Sequence, residues 1–238
     1  ELAGMAASMR SHAERVRTDR GPLIDTCGTG GDGASTFNIS TCAALVAAAG
    51  GAVVAKHGNR SISSKCGSAD VLEALGVRLD GGVDVVERCL EAAGIGFLFA
   101  PQHHPAMRHV MPVRRAMGVR TSFNLLGPMT NPAGARRQVI GVFSHAYTKV
   151  VCEALGELGS LHVVVVCGDD GRGGLLDEIS TCGRTEGWEL KDGAVQPVSF
   201  TPEGLGVATA DVRALKGGDA AENAAALEAI LSGEPGPR

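Results

Sequence analysis

The stretch DTCGTGGDG at residues 25–33, followed by TFNIST at residues 36–41 and an alanine-rich apolar run, decides the fold of this chain. The pattern predicts a β-strand, a glycine-rich loop and the first turn of a helix. Glycines let the loop adopt positive φ and bring its N–H groups close to a ligand, while a helix N-terminus adds about half a positive elementary charge. This combination is typical of a phosphate-binding loop.

Two better-known phosphate loops fit this stretch poorly. Gly28, Gly30 and Gly33 have the spacing of a dinucleotide-binding loop, but in such a site the second strand ends near an acidic residue. Here the strand candidate AVVA at 52–55 runs into KHGNR at 56–60, and this basic end suggests a second phosphate contact instead. A Walker loop is excluded because no Gly-Lys-Ser or Gly-Lys-Thr follows the glycines.

Composition restricts the class of protein. The 238 residues, 44% of them hydrophobic, are enough to build a sizeable core. The formal net charge of −4 argues against nucleic acid or an acidic membrane as the main partner. The seven cysteines contain no C-x-x-C pair, which predicts reduced thiols. Since no signal-peptide pattern and no apolar run of about 20 residues occurs, we expect a cytoplasmic protein.

Short β-rich segments alternate with alanine-rich segments, which predicts an α/β fold with a mainly parallel central sheet flanked by helices. The strand candidates are Leu23 to Cys27, Ala52 to Ala55, Gly96 to Ala100, Val139 to Phe143 and Leu161 to Cys167. The helix candidates are Thr41 to Ala49, Ala69 to Leu75, Val83 to Ala93, Ala146 to Leu158 and Ala220 to Leu231. We expect Asn38 or Ser40 to cap the first helix and Gly50-Gly51 to end it.

The segment from Pro105 to Pro128 breaks this alternation and predicts a smaller, all-helical subdomain. Its apolar residues at roughly helical spacing are Met107, Val110, Met111, Val113 and Met117. We expect these methionines to lie in a core rather than against a cofactor. We assign residues 1–18 and 104–130 to a partial helical subdomain, and residues 19–103 and 131–238 to the α/β domain.

Two further segments carry side chains suited to a phosphorylated ligand and a cation. KHGNRSISS at residues 56–64 places cations, an amide and hydroxyls at the end of a parallel strand, where open α/β sheets bind ligands. Asp177-Glu178 follows the apolar strand 161–167, and adjacent carboxylates there suit magnesium, a hard cation that takes oxygen ligands. An isolated Asp-Glu pair is usually surface charge, so the magnesium interpretation depends on the two phosphate-type loops.

Other reactive side chains give weaker signals. His103, His104 and His109 form no recognised metal-binding motif, so we expect packing or capping roles for them. The serines lack the G-x-S-x-G context of a hydrolase nucleophile. Covalent catalysis therefore has little support.

With these segments in view, the chain resembles the anthranilate phosphoribosyltransferase family, which shares its fold with pyrimidine nucleoside phosphorylases. The motifs that carry the resemblance are GTGGD at 28–32, NIST at 38–41, the 56–64 loop, GSAD at 67–70, HPAM at 104–107, VRR at 113–115, NLLGP at 124–128 and DE at 177–178. The resemblance implies transfer of the phosphoribosyl group of 5-phosphoribosyl 1-diphosphate to the amine of anthranilate, with Mg²⁺ and release of diphosphate, in tryptophan biosynthesis.

The resemblance also assigns site residues to matching positions. For 5-phosphoribosyl 1-diphosphate it implies Gly28, Gly31, Asp32, Thr36, Asn38, Ile39, Ser40, Thr41, Lys56, His57, Gly58, Asn59, Arg60, Ser61, Ile62, Ser63, Ser64 and Ser68. For magnesium it implies Ser40, Asp177 and Glu178. For anthranilate it implies Gly28, Asn59 and Arg114, with the guanidinium facing the anthranilate carboxylate. His57, Asn59 and Arg114 are the candidate catalytic residues.

The family further implies a site at the hinge between the two domains and a homodimer formed through the helical part. It implies additional helical chain before the first strand and more chain after Arg238, so we expect this chain to be truncated. Two other functions stay open. A nucleoside phosphorylase would use the same anion loops for free phosphate, whereas a regulatory domain would bind a phosphorylated metabolite without turnover. Asn59 and the VRR stretch favour an aromatic acid over a pyrimidine.

Overall fold

The computed structural model describes residues 1–61 and 64–238 and is built around an eight-stranded sheet. Its strands are β1 (Leu23–Gly28), β2 (Val53–Gly58), β3 (Ile95–Phe99), β4 (Arg137–Gly141), β5 (His162–Asp169), β6 (Leu175–Leu176), β7 (Thr185–Lys191) and β8 (Ala194–Phe200). They lie in the order β3-β2-β1-β4-β5-β7-β8, with β6 paired to β5. The predicted central sheet is therefore confirmed, together with each of its predicted strands.

The strands β1 to β5 are parallel to one another and bring their carboxyl ends to one edge of the sheet. Gly28 at the end of β1 is in register with Gly141 at the end of β4. Parallel strands covered on both faces need continuous apolar runs, and successive residues Val54 and Ala55 of β2 are both fully buried. The carboxyl edge is where such sheets bind ligands.

Helices flank this sheet, and all five predicted helices are present. The helices are α1 (Leu2–Ser11), α2 (Ile39–Ala49), α3 (Ser68–Ala74), α4 (Gly82–Ala93), α5 (Ala100–His103), α6 (Met107–Met117), α7 (Phe123–Met129), α8 (Thr148–Glu157) and α9 (Ala220–Leu231). Among the described residues, none of these helices combines the length and the apolar character needed to cross a membrane.

Apolar side chains form three clusters that join the helices to the sheet. Leu155 of α8 and Ile140 of β4 belong to a cluster that also includes residues of α1, α7 and β5. Val71 of α3 and Leu227 of α9 belong to a second cluster, with α2. Leu90 of α4 packs with β2 and β3 in a third. Burial of these side chains is what fixes the strand ends relative to the helix that follows β1.

The start of α2 differs from the prediction. Asn38 occupies the N-cap position, but its side chain makes no capping hydrogen bond. Its amide nitrogen donates to the Cys66 carbonyl at 3.2 Å, and its amide oxygen accepts from Asn223 of α9 at 2.9 Å. The capping prediction is therefore wrong, because Asn38 ties three segments together instead. The predicted stop is confirmed, since α2 ends at Gly50.

The prediction that the methionines of α6 lie in a core is also wrong. The segment is helical, but Met117 is 53% exposed and Val113 is 59% exposed, while Met107 and Met111 are half-buried. Helical spacing specifies that apolar residues share a face, but it does not specify what covers that face. Here none of the described side chains of α6 is buried.

A hairpin at the far edge of the sheet was not predicted. β5, β7 and β8 pair antiparallel, and β7 turns into β8 at Asp192-Gly193, where both residues have positive φ, 51° and 79°. Asp-Gly is a preferred pair for such a two-residue turn. The sequence WELKDGAVQPV therefore contained a hairpin signal that an alternation of strands and helices does not reveal.

Candidate active site

The glycine-rich loop follows β1 at the carboxyl edge of the sheet and leads into α2. Gly30, Gly31 and Gly33 have φ of 67°, 82° and 80°, a left-handed region that glycine adopts without strain. Within the loop, the Asp32 carboxylate accepts a hydrogen bond from the Ala34 N–H at 3.1 Å. The predicted arrangement of strand, glycine loop and helix N-terminus is confirmed.

The Asp177-Glu178 pair lies directly against this loop, although about 150 residues separate them in sequence. The Gly30 N–H donates to Asp177 Oδ2 at 2.6 Å, and the Asp177 N–H donates to Asp32 Oδ2 at 3.4 Å. The Ser40 N–H, in the first turn of α2, donates to Glu178 Oε1 at 3.2 Å. Two segments that the sequence singled out separately therefore form one site.

Two glycines make this approach possible. A Cβ at Gly28 would overlap Asp177 Oδ2, and a Cβ at Gly141 would overlap the Asp177 carbonyl oxygen. These residues end the neighbouring strands β1 and β4, so the acidic segment crosses the strand ends at backbone contact distance. Gly28 was predicted as a ligand-binding residue, whereas Gly141 had no sequence signal beyond its place at a strand end.

The ionised forms of the Asp177 and Glu178 carboxylates are destabilised at this position. Burial, with the neighbouring charge of Asp32, raises the pKa of Asp177 to about 7. Burial, with the charge of Asp177, raises the pKa of Glu178 to about 8, although Lys56 opposes this shift. Desolvation and like charges both disfavour an ionised carboxylate. A bound cation would remove the repulsion.

The donor set at this point suits a hard divalent cation. Asp177 and Glu178 supply carboxylate oxygens and Ser40 supplies a hydroxyl, which are the oxygen ligands that Mg²⁺ prefers. Among residues 1–61 and 64–238, three or more His, Cys, Asp or Glu side chains nowhere come together in a metal-binding group. The fit therefore rests on two carboxylates and a hydroxyl, and Mg²⁺ commonly completes its shell with water and substrate phosphates.

Lys56 is an internal cation rather than a solvent-facing one. It is 3% exposed, and its Nζ donates to the Thr26 carbonyl at 2.6 Å and lies 3.5 Å from Ser40 Oγ. Burial raises the pKa of Glu178 and of Asp25, and the charge of Lys56 opposes both of these rises. Lys56 thus links β1 and α2 beneath the acidic pair.

His57 lies at the end of β2 with both ring nitrogens engaged. Its Nδ1 is 3.1 Å from the Gly127 carbonyl oxygen, and its Nε2 is 3.2 Å from Nε2 of His104. Burial, with the charge of His104, lowers the pKa of His57 to about 3. His103 is fully buried and its Nδ1 contacts the Glu14 carbonyl. The predicted packing role is therefore confirmed for His103 and His104, whereas His109 is exposed and does not pack in a core.

The rest of the 56–64 loop is held by α3. The Arg60 guanidinium forms ion pairs with Asp70 at 3.0 Å and Glu73 at 2.5 Å, which raise its pKa. Asn59 is exposed, and its backbone N–H and carbonyl both bond to the Ser68 hydroxyl at 3.2 Å. Ser61 and Ser64 bond to each other. The predicted residues Ile62 and Ser63 lie outside the described residues.

Three further predicted site residues, Arg114, Thr36 and Thr41, differ in their burial and in their contacts. The Arg114 guanidinium of α6 lies 5.4 Å from the centre of the Phe123 ring, and burial lowers its pKa. Thr36 pairs with Lys216 in an isolated β-bridge. Thr41 is buried inside α2. The described contacts do not join Arg114 directly to Asn59 or to the glycine loop.

A buried hydrogen-bond network around Asp25 was not predicted from the sequence. Asp25 is 1% exposed, and its carboxylate accepts from the His57 N–H at 3.1 Å and from Asn131 Nδ2 at 2.8 Å. Asn131 also donates to the Ala55 carbonyl at 2.8 Å. A charged residue within an apolar strand was the available signal for Asp25. Nothing in the sequence indicated Asn131 as its partner.

Arg120 was missed for a similar reason. It follows α6, and its guanidinium donates to the Gly31 carbonyl oxygen and lies 4.5 Å from the centre of the Phe143 ring. This contact connects the helical segment to the glycine loop. An arginine in a polar connection carries no sequence signal for the loop it reaches.

The geometry agrees with comparisons to known proteins. A family model described as "Glycosyl transferase family, a/b domain" matches residues 20–238. An anthranilate phosphoribosyltransferase of Desulfatibacillum aliphaticivorans is 56% identical over 238 residues, which are 100% of this chain and 69% of the relative. The chain belongs to the anthranilate phosphoribosyltransferase family. It is therefore related to pentosyltransferases rather than to nucleotide-binding dehydrogenases or Walker-type proteins.

Solved structures of the family have the same fold. The crystal structure of the Thermus thermophilus enzyme is 50% identical with a TM-score of 0.89, and the match covers 99% of this chain and 69% of that one. The Saccharomyces cerevisiae enzyme, solved in complex with PRPP and Mg, is 29% identical with a TM-score of 0.83. The match covers 99% of this chain and 64% of the yeast one. A further structure of the yeast enzyme, in complex with 4-fluoroanthranilate, is 28% identical to this chain with a TM-score of 0.86. The match covers 99% of this chain and 64% of that one.

The acidic pair should make stability depend on pH when no divalent cation is present. The pKa of Glu178 is about 8 in the folded chain and 4.5 as its ordinary value. The folded state therefore binds this proton more tightly, and its stability falls as pH rises from about 4.5 to about 8. Glu178→Gln removes this component. The free energy of unfolding of the variant should rise relative to the parent by more than about 1 kcal/mol between pH 5 and pH 8.

Urea unfolding at a series of pH values, with a chelator present, measures this difference. Parallel stability curves for the parent and Glu178→Gln across that range would show that the carboxylate is not destabilised by burial.

Proposed function

We propose that the chain transfers the phosphoribosyl group of 5-phosphoribosyl 1-diphosphate to the amine of anthranilate at the carboxyl edge of the sheet. The observation that carries this proposal is the meeting of the glycine loop with Asp177 and Glu178, through the Gly30 and Ser40 N–H groups. An anion-binding loop beside the buried Asp177 and the half-buried Glu178 suits a substrate with phosphate groups and a divalent cation together. Membership of the family supplies the reaction.

The sugar donor is assigned to the loop and the adjoining strand end. Its proposed contacts are Gly28, Gly31, Asp32, Thr36, the 38–41 segment, the 56–64 loop and Ser68. Backbone N–H groups of the glycine loop and the N-terminus of α2 would bind phosphate oxygens. Because Arg60 is paired with Asp70 and Glu73, it would need to exchange partners to bind the donor.

Ser40, Asp177 and Glu178 are the residues proposed to hold Mg²⁺. When bound, the ion supplies charge neutralisation for the diphosphate leaving group. The buried position of Asp177 and the half-buried position of Glu178 would strengthen their interaction with a cation, since little water screens it. Lys56 stays beneath them and holds the Ser40 end of α2 against β1.

Anthranilate is assigned to Gly28, Asn59 and Arg114. The Arg114 guanidinium suits the anthranilate carboxylate because a planar cation can donate two parallel hydrogen bonds to it. In the described structure this guanidinium stacks near Phe123, on the helical segment. Binding at this position would orient the aromatic amine toward the sugar.

The reaction needs positioning more than a strong base. The amine lone pair forms the new C–N bond at the anomeric carbon, the C–O bond breaks with its electron pair leaving on diphosphate, and the amine then loses a proton. Both ring nitrogens of His57 are already engaged, so this residue does not take that proton in the described arrangement. Charge stabilisation and orientation therefore carry most of the rate increase.

We further propose that residues 1–18 and 104–130 form part of a helical subdomain that closes over the site. The contact of Arg120 with the Gly31 carbonyl supports a connection between that segment and the loop. A cytoplasmic location and assembly as a homodimer through the helical part are also proposed, from the family resemblance. Closure would exclude water, which otherwise competes with the amine for the sugar.

The activity is tested directly by mixing the chain with anthranilate, 5-phosphoribosyl 1-diphosphate and Mg²⁺. We expect magnesium-dependent loss of anthranilate with release of an equal amount of diphosphate. Parallel incubation with thymidine and phosphate separates the nucleoside phosphorylase alternative. Release of thymine without consumption of anthranilate would contradict the proposal, and so would binding of the sugar donor with no turnover of either substrate pair.

The acidic pair is tested by the double change of Asp177→Asn and Glu178→Gln. Turnover should fall by at least about 100-fold and require more Mg²⁺, because the loss of ligand charge weakens stabilisation of the leaving group. Asp211→Asn is the control, since this carboxylate pairs with Arg172 and Arg213 away from the loop. Unchanged magnesium dependence in the double variant would remove the metal assignment.

Arg114 is tested by steady-state kinetics of Arg114→Ala. The KM for anthranilate should rise by about 10-fold or more, with a smaller change in the KM for 5-phosphoribosyl 1-diphosphate, because a charge-assisted pair contributes about 1.5–3 kcal/mol. Arg108→Ala is the matched control, an exposed arginine on the same helix. Equal effects of the two variants on anthranilate would contradict the assignment.

A further inference from the structure

A buried amide lies on the otherwise apolar packing face of α9. Asn223 is 2% exposed, and its neighbours Ala224 and Leu227 belong to the apolar cluster that joins α9 to α3. A polar side chain buried among apolar ones is destabilising unless it is hydrogen-bonded. Asn223 bonds to Asn38, which precedes it by 185 residues and lies at the start of α2. The last helix of the chain therefore makes a polar contact with the segment that leads into the site.

Backbone groups at both ends fix the direction of this contact. The Gly218 N–H can only donate, and it donates to Asn223 Oδ1 at 2.7 Å. The Nδ2 of Asn223 therefore faces Asn38, whose Oδ1 accepts from it at 2.9 Å. At the other end the Cys66 carbonyl can only accept, and it accepts from Asn38 Nδ2 at 3.2 Å. The two amides thus have one consistent orientation, and reversing either would bring like groups together.

The segment before α9 also holds the connection between the glycine loop and α2. The Phe37 N–H donates to the Leu215 carbonyl at 2.9 Å. The Gly217 N–H donates to the Ser35 carbonyl, also at 2.9 Å. A Cβ at Gly217 would lie 2.8 Å from the Phe37 Cα, so the two backbones are in direct contact. Backbone bonds therefore hold this connection in place, and the Asn223 side chain adds a further bond at its end.

The contacts that hold Asn38 also hold the first turn of α2. The Asn38 carbonyl accepts from the Thr41 and Cys42 N–H groups at 3.1 and 3.0 Å. The Ser40 N–H in the same turn donates to Glu178 Oε1 at 3.2 Å. N–H groups at a helix N-terminus bind an anion only when they are directed at it. A change in the orientation of Asn38 would therefore redirect these groups.

We propose that Asn223 is a positioning residue that holds Asn38, and with it the first turn of α2, in the orientation that binds the phosphate groups of the sugar donor. The identity of that donor rests on the proposed function, whereas the amide contact does not. Asn223 is buried, so it acts through Asn38 rather than by touching the donor. An apolar side chain of similar volume would fill the same space but leave the Asn38 amide held only by Cys66.

Hydrogen exchange followed by NMR tests the positioning role without substrate or turnover. In Asn223→Leu the Asn38 amide loses a partner, so the N–H groups of Thr41 and Cys42 should exchange at least about tenfold faster than in the parent. A general loss of stability would speed exchange of the Val165 N–H in β5 by the same factor. Only the excess over Val165 therefore reports on the first turn of α2.

Calorimetric titration with 5-phosphoribosyl 1-diphosphate and Mg²⁺ measures the consequence for the site. The Kd should rise about tenfold in Asn223→Leu, the size expected for one buried hydrogen bond, while the KM for anthranilate changes less than about threefold. Asn223→Gln retains the amide and should recover donor binding to within about threefold of the parent. Leu227→Val trims a fully buried side chain of the same helix, and as the packing control it should change neither constant and give no excess exchange at Thr41.

The outcomes distinguish the positioning role from the proposed function. Unchanged exchange or unchanged donor affinity in Asn223→Leu would overturn the positioning role. Equal losses in Asn223→Leu, Asn223→Gln and Leu227→Val would also overturn it, because packing of α9 would then be the cause. A parent chain that binds no sugar donor contradicts the proposed function, and the exchange comparison still tests the hold of Asn223 on α2. If Asn223→Leu does not fold, Asn223→Ser takes its place, since its shorter side chain cannot span both partners.

Discussion

The site depends on one constraint, which is the close packing of Asp177 against the carboxyl ends of β1 and β4. Gly28 and Gly141, in register on the two strands, leave room for it, and a Cβ on either would overlap it. Once Asp177 is seated, the Gly30 N–H fixes its carboxylate and Glu178 reaches the first turn of α2. Substitution at either glycine would therefore displace the acidic segment, the glycine loop and the helix N-terminus together.

This arrangement concentrates electrostatic strain where a charged substrate would bind. Asp177 is buried and Glu178 is half-buried, and desolvation together with like charges nearby raises the pKa of each. Lys56 offsets part of the repulsion from below, but its ammonium is committed to Thr26 and Ser40. Functional sites commonly carry such destabilised groups, which the surrounding core holds in place. The same electrostatic repulsion that lowers stability at high pH would favour binding of a cation at this position.

The sequence predicted what depends on local pattern and missed what depends on distant contacts. The strands β1 to β5, the five predicted helices and the glycine loop follow from residue periodicity and from glycine, and they were predicted correctly. The β7–β8 hairpin was missed although its Asp192-Gly193 turn is a local signal. The pairing of Asp25 with Asn131 spans 106 residues, and no local pattern encodes it. The methionines of α6 share a face, but none of them is buried in the described structure. Amphipathic spacing predicts a shared face and does not predict which element packs against it. Gly141 belongs to no motif, because the reason for a glycine there is the close contact with the Asp177 backbone, which lies far away in sequence.

The most direct test of this account is the location of a divalent cation in crystals of the chain grown with Mn²⁺ and 5-phosphoribosyl 1-diphosphate. Mn²⁺ takes the same oxygen ligands as Mg²⁺, and its anomalous scattering identifies it. The account predicts an anomalous peak in contact with Ser40, Asp177 and Glu178, beside diphosphate bound at the glycine loop. A cation bound elsewhere, with these carboxylates still facing only protein atoms, would contradict it.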